Sequence, residues 1–494
     1  MFGFIKRWLS SPKVYDTSRR TNRRLASLPS VGWEINTLIQ TYGNTALVRS
    51  RHICLNNPYA SKAKAEYVSA LIGEGIKTMS NADNASERSV VQEVWDEFCD
   101  YADATDILNY AGLQMQIASE LFEAGEVFVR FRPRLPQDGL TVPLQLQVIP
   151  AEMLPLWKND TSAAGNQIRA GIELDPIGKR VAYHFLRYHP GVNSAPNPMP
   201  TGDFYSIVPA REVLHIYKPA RAGQLRGIPA IVSSLTTFAM LDLYDDAELE
   251  RKRTAALFAA FVTTPKDDGA DHPLGAVLNT TSAGSLVRTS IGREFAVEPG
   301  AVITLEPGEN IVFSEPADVG NNYELFQYRN LLRASVGTGV PYTALTGDLK
   351  QANYSSLRAG LVDFRRRISS EQKQIIIPKF CKPVWNKVMQ TAAMAGVLPW
   401  SATQVANNTR TLLAAKHIVP AFEWVDPLND IKAEVLAIDN HLKPRSTVII
   451  EQGESPEEVD AQIGKDAKSL EAVLPKQALA VDNTNPQDSN NVAK

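Results

Sequence analysis

Apolar residues recur at helical spacing over Asn57–Ile72 and Ser86–Phe122, where Val90, Val94 and Phe98, then Leu113, Ile117 and Leu121, share a face. Both stretches are expected to be helical. The period then changes. Glu126–Phe131, Leu144–Ile149 and Arg180–Phe185 alternate or cluster β-formers between glycines and prolines, as strands do. Connectors of turn size cannot supply parallel crossovers, so the expected class is α+β, with an antiparallel sheet.

From Pro229 a longer helical pattern runs through Leu235, Phe238, Leu241, Leu249 and Leu257, with an almost wholly charged middle from Asp242 to Arg253. Proline suits a first helical turn. A helix of about 30 residues spans about 45 Å, long for a compact domain. It reads either as a partly solvated helix or as a strut packed beside copies of itself. Residues 265–318 are rich in Gly, Pro, Ser and Thr, with strand-like pieces at Ala301–Leu305 and Asn310–Phe313. A second helix is expected over Tyr323–Thr338, then a polar stretch over Thr346–Ser356. A last long helical pattern covers Leu357–Gly396, where Pro378 and Pro383 should bend or break it.

Charge modifies this picture only at the ends. The 494 residues carry 51 Lys+Arg against 54 Asp+Glu, which excludes a simple basic nucleic-acid sponge. Lys6, Arg7, Lys13, Arg19, Arg20, Arg23 and Arg24 face Asp16 alone in the first thirty residues. That arm reads as a solvated tail or as a contact for nucleic acid or an acidic partner. Beyond Glu451 the chain turns acidic and polar, and is expected to be disordered. No apolar run is long enough for a membrane span, and the N-terminal apolar stretch is interrupted by charge, unlike a secretory signal.

Familiar catalytic chemistry is missing. Cys54, Cys99 and Cys381 lie too far apart for a CxxC pair or zinc ribbon, so a reducing compartment is the default. The sequence holds no GxxxxGK[ST] cradle for nucleotide phosphates, no HExxH and no GxSxG. His52, His184, His189, His215, His272, His417 and His441 are scattered, without carboxylates at ligand spacing. No cofactor, no metal and no enzymatic turnover are expected.

Several strings, in order, resemble the portal proteins of tailed bacteriophages, in particular the lambda-type family. They are Val48–Ala60 (VRSRHICLNNPYA), Phe122–Phe131 (FEAGEVFVRF), Val208–His215 (VPAREVLH) and Arg221–Pro229 (RAGQLRGIP). Leu305–Glu309 (LEPGE), Gly339–Asp348 (GVPYTALTGD) and Asn353–Ser356 (NYSS) complete the set. Each string alone is weak; their combination over about residues 40–400 is specific.

The resemblance implies a homo-oligomeric ring, usually of twelve subunits, at one vertex of a capsid assembled in the host cytoplasm. Such a ring is a channel for double-stranded DNA in packaging and ejection, without sequence specificity. It also docks the terminase large subunit, head-completion or connector proteins, and the major capsid or scaffold protein. The implied fold has an α/β wing, long stem helices, a small β-containing clip and a helical crown. On this chain that gives a basic arm at 1–40, wing at 41–228, first stem helix at 229–264, clip at 265–318 and second stem helix at 319–341. A tunnel loop at 342–356, a broken helix returning through the wing at 357–396, a crown-like region at 397–450 and the acidic tail at 451–494 follow.

A conduit must hold DNA without gripping it, because neutralising many phosphates gives tight, salt-dependent binding. Asp242, Asp245, Asp246 and Glu248 are the expected channel-lining acids, set against Arg251, Lys252 and Arg253 in a pattern that also suits intersubunit ion pairs. In the tunnel loop, Lys350 is the expected phosphate contact, with Asn353 and Tyr354 shaping the loop. Two rival readings are a nuclease built on the acidic helix, and a capsid or baseplate component that never meets DNA.

Overall fold

The structure, a computed structural model, describes residues 32–192, 204–257, 261–262, 288–289, 292–293, 303–304, 323–350, 354–422 and 426–473. Contacts divide the chain into two units: one draws on residues up to Arg51, Tyr67–Ala230 and everything from Arg358, the other on His52–Glu66 and Ile231–Leu357.

Two helices lead in, α1 (Ile35–Asn56) and α2 (Pro58–Ile72), each with residues in both units. The first unit continues with β1 (Lys77–Ser80), α3 (Ala85–Asp100), α4 (Tyr110–Glu123), β2 (Glu126–Pro133) and β3 (Leu144–Ile149). Then come β4 (Asp160–Thr161), β5 (Gln167–Arg169), β6 (Ile172–Leu174), β7 (Arg180–Leu186), β8 (Tyr205–Pro209) and β9 (Val213–Tyr217). Two antiparallel sheets result, ordered β3-β2-β9 and β4-β5-β6-β7-β8. Phe128, Ile149, Leu154, Ile172, Tyr183, Phe185, Val208 and Val213 bury their side chains in one core that draws on both sheets.

The stretch expected to be helical over 86–122 is two helices. Between them Asp103 accepts hydrogen bonds from the backbone N–H groups of Thr105, Ile107 and Leu108 and from the Thr105 hydroxyl, which holds a turn instead. Asn84 and Asn109 then cap α3 and α4.

Where the chain leaves the sheets, a buried polar cluster fixes it. Arg226, 2 % exposed, pairs with Glu126 at 2.6 Å and donates to the carbonyls of Ala170 and Ala151. Glu126 also accepts from His215 Nε2 at 2.9 Å and from the Gly227 N–H at 2.7 Å. Burial works to raise the Glu126 carboxyl, but the Arg226 charge and His215 outweigh it and hold it at about 2. Burial lowers His215 to about 4, against the pull of Glu126. Gly125, at φ 79°, lies so close to the returning chain that an added Cβ would fall 2.0 Å from the Ile228 carbonyl carbon.

In the second unit α5 covers Leu235–Leu257, so it starts later than the pattern from Pro229 suggested, after a 3-10 turn at Val232–Ser234. Short strands β10 (Phe261–Val262), β11 (Arg288–Thr289), β12 (Gly292–Arg293) and β13 (Ile303–Thr304) follow, β10 pairing parallel with β13. The rest of the expected clip, including Asn310–Phe313, lies outside the described residues, as does the basic arm up to residue 31. The expected arm at 1–40 is shorter at its far end, because α1 begins at Ile35. Next stand α6 (Tyr323–Thr338) and α7 (Tyr342–Thr346).

α8 (Tyr354–Glu371) does not stop at the prolines. The chain passes through a wider π-helical stretch, Gln372–Cys381, into α9 (Lys382–Ala395). Pro378 lacks an N–H and its ring collides with an ordinary α turn, and the wider i→i+5 winding gives it room. Phe380 and Trp385 from this stretch pack on Tyr110 and Trp95, with ring centroids 5.4 and 5.0 Å apart. α10 (Ala402–Asn407), α11 (Thr409–Leu412) and β14 (Ala415–Ile418) come next, and β14 pairs with β1. The first part of the expected crown-like region is thereby tied into the first unit. α12 (Pro427–Asp439), α13 (Arg445–Glu451) and α14 (Pro456–Val473) end the described chain. α14 corrects the expected disordered tail over its own length: a proline opens it, Glu457 and Glu458 favour its first turn, and Arg88 pairs with Glu457 at 2.9 Å.

Candidate functional site

The acids singled out by sequence all lie on α5, which runs antiparallel to α6. At one end Ser233 and Ser234 donate hydroxyl hydrogen bonds to the carbonyls of Gly337 and Ala334, each at 3.0 Å. At the other, Tyr244 packs on Tyr323 and Phe326, with centroids 6.0 and 4.8 Å apart. A Cβ on Gly337 would sit 2.1 Å from the Ser234 hydroxyl, so glycine lets the helices meet.

Helical geometry turns three of the four acids toward protein. Asp242, Asp245 and Glu248 recur at i, i+3 and i+6 on the side of α5 that buries Phe238 and Leu241. Asp242 accepts from the Asn57 amide at 2.6 Å, and burial raises its pKa against that hydrogen bond. Asp245 accepts from the Tyr323 hydroxyl at 2.9 Å and from the Gln327 amide. Glu248 is bound by Arg251 through two hydrogen bonds, which lower its pKa, and by Lys252 at 3.7 Å. Asp246 alone stands outward. Of the four acids expected along a channel wall, three thus hold the helix pair or its charges together within the chain. Asn57, Tyr323 and Gln327, their partners, lie in stretches expected to be helical, but nothing in the sequence marked them as partners of these acids.

The expected tunnel loop is also shorter than 342–356. Tyr342–Thr346 is helical, its Tyr342 ring lying edge-on to Tyr328 at 5.0 Å, and Gly347 at φ 72° ends it. Lys350 is exposed, with an exposed Glu324 carboxylate 3.6 Å away, an ion pair that water screens. Asn353 lies outside the described residues, and Tyr354 is described only as the backbone that opens α8. Among the described residues, no group of three or more His, Cys, Asp or Glu is placed to hold a metal, and no helix is long and apolar enough to cross a membrane.

The family model "Phage portal protein, lambda family" matches residues 21–372. The chain belongs to that family. Portal proteins are structural, non-enzymatic proteins that form a ring at the capsid vertex, and DNA passage through the ring is the family's general function. A "Probable portal protein" of Halomonas phage phiHAP-1 is 25% identical over 441 residues, covering 85% of this chain and 79% of that one. "Portal protein B" of Escherichia phage lambda is 25% identical over 217 residues, 41% of this chain and 39% of its own. Among solved structures, the neck of an empty GTA particle overlaps 87% of this chain and 98% of its own at 15% identity and a TM-score of 0.41.

Proposed function

We propose that this portal subunit builds a closed ring whose hole conducts double-stranded DNA into the capsid and out again, without reading its sequence. The observation that carries the reading is the family match over 21–372, which spans the α/β region, both long helices and the loop between α7 and α8. In this reading the first unit supplies wing and crown, α5 and α6 are the stem, and the segment between them is the clip. The terminase large subunit docks on the clip and provides the packaging energy, since the chain carries no phosphate cradle. Head-completion proteins and the major capsid or scaffold protein meet the ring on other faces. Its place is the virion, after assembly in the host cytoplasm.

Lys350, with Asn353 and Tyr354 beside it, belongs to a tunnel loop that touches the passing DNA. Its exposure and its weak pairing with Glu324 support this, because an ammonium held loosely can exchange one anionic partner for a phosphate. One mobile contact per subunit is compatible with sliding, where a continuous basic wall is not. Lys350→Ala is expected to leave ring assembly unchanged and to reduce the DNA retained in filled particles, measured as the fraction of full heads in a packaging assay. Unchanged retention would remove the loop contact from the account.

A further inference from the structure

α5 and α6 bury one face against each other and present the other to solvent, and the middle turns of these outward faces carry opposite charge, Asp246 and Glu250 against Arg329 and Arg333. On α5 the outward residues include Met240, Leu243, Asp246, Ala247, Leu249 and Glu250, with Lys252 and Arg253 exposed beyond them. On α6 they include Leu325, Phe326, Arg329, Arg333 and Val336, with Leu332 half-buried among them and Glu324 exposed at the first turn. Leu243 and Val336 are 63% and 76% exposed, large apolar groups left in water on helices that otherwise pack well. Among the described residues Asp246, Arg329 and Arg333 have no ion-pair partner, and Glu250 has only the exposed Arg253 one turn away.

The two stripes fit in one antiparallel register. With Leu243 opposite Val336, Asp246 falls opposite Arg333, Ala247 opposite Leu332 and Glu250 opposite Arg329, so apolar pairs alternate with ion pairs and no like charges meet. Inside one chain the same helices pair differently, with Ser234 beside Ala334 and Asp245 beside Tyr323. The second register is displaced by about ten residues, or roughly 15 Å along the helix axis. A single chain cannot use it, because these faces point away from the seam its own helices share.

We propose that the occupant is a second copy: α5 of one subunit lies on α6 of the next, with Asp246 and Glu250 of one copy meeting Arg333 and Arg329 of its neighbour. Asp246 and Glu250 repel the same pair on another copy, and so do Arg329 and Arg333, so the contact is heterologous and propagates around a ring instead of stopping at a two-fold dimer. This rests on the ring reading above and names the residues that set its subunit contact.

The test uses the full chain in three forms. One variant carries Asp246→Lys with Glu250→Lys; a second carries Arg329→Glu with Arg333→Glu; a third carries all four changes. Like charges then face each other in each double variant, and its ring fraction by native mass measurement should fall at least about tenfold. Mixing the two double variants should restore rings that alternate the two chains and hold even subunit numbers, and the fourfold variant should form rings alone. Native ring yields from either double variant alone would overturn the register, and so would absence of rings from both the mixture and the fourfold variant. Absence of rings from the native chain would instead overturn the ring reading, and this inference with it.

Discussion

Replacing Arg226 with methionine is expected to destabilise the first unit by about 3–5 kcal/mol, the usual cost of removing one partner of a fully buried ion pair. Glu126 would keep its hydrogen bonds from His215 and Gly227 but lose the charge that holds its pKa near 2. The carbonyls of Ala151 and Ala170 would lose their guanidinium donor in the same step. Thermal unfolding should shift down by roughly 4–7 °C for a unit of this size. Pairing the change with Glu126→Gln should recover part of the loss, because the two groups are directly coupled. A melting temperature within a degree of the native value would show that the pair is not a determinant of the unit.

The second large effect is steric. Gly125→Ala would place a Cβ 2.0 Å from the Ile228 carbonyl carbon, 2.1 Å from its oxygen and 2.5 Å from the Pro229 nitrogen, all of them backbone. The facing glycine is equally constrained, since a Cβ on Gly227 would fall 2.2 Å from the Gly125 oxygen. No rotamer change relieves such a contact, so the two segments must part. That costs the Ala230 N–H bond to Phe122 and the Gly227 N–H bond to Glu126. The expected result is loss of soluble, folded protein, or a destabilisation of more than about 4 kcal/mol. Gly178→Ala is the control: it has the same positive φ with open space around it, and should cost only the left-handed backbone penalty of about 1–2 kcal/mol. Equal, small effects at the two positions would contradict the close backbone crossing.

Much of this architecture was legible where a period ran long enough. The strand reading over Leu144–Ile149 and the helix over Tyr323–Thr338 match β3 and α6 end to end, because each keeps one pattern and is bounded by breakers. α1 escaped notice because its buried residues, Ile39, Leu47, Ile53 and Cys54, are too sparse to mark a face, with Gly43 between them. β4, β5 and β6 are two or three residues long, too short for any alternation to register. The site was legible as chemistry but not as direction. Composition puts four acids on one helix, yet which of them turn inward depends on Asn57, Tyr323 and Gln327, brought to α5 from distant parts of the chain.

The central claim is that copies of this chain close into a ring around a hole wide enough for DNA. Native mass measurement of the purified full chain, with negative-stain imaging of the same sample, tests it most directly. The account predicts one closed species whose mass is an integral multiple of the chain, seen end-on as a ring with a central hole. A strictly monomeric particle at high concentration, with the circular dichroism of a well-folded helix-rich protein, would contradict it.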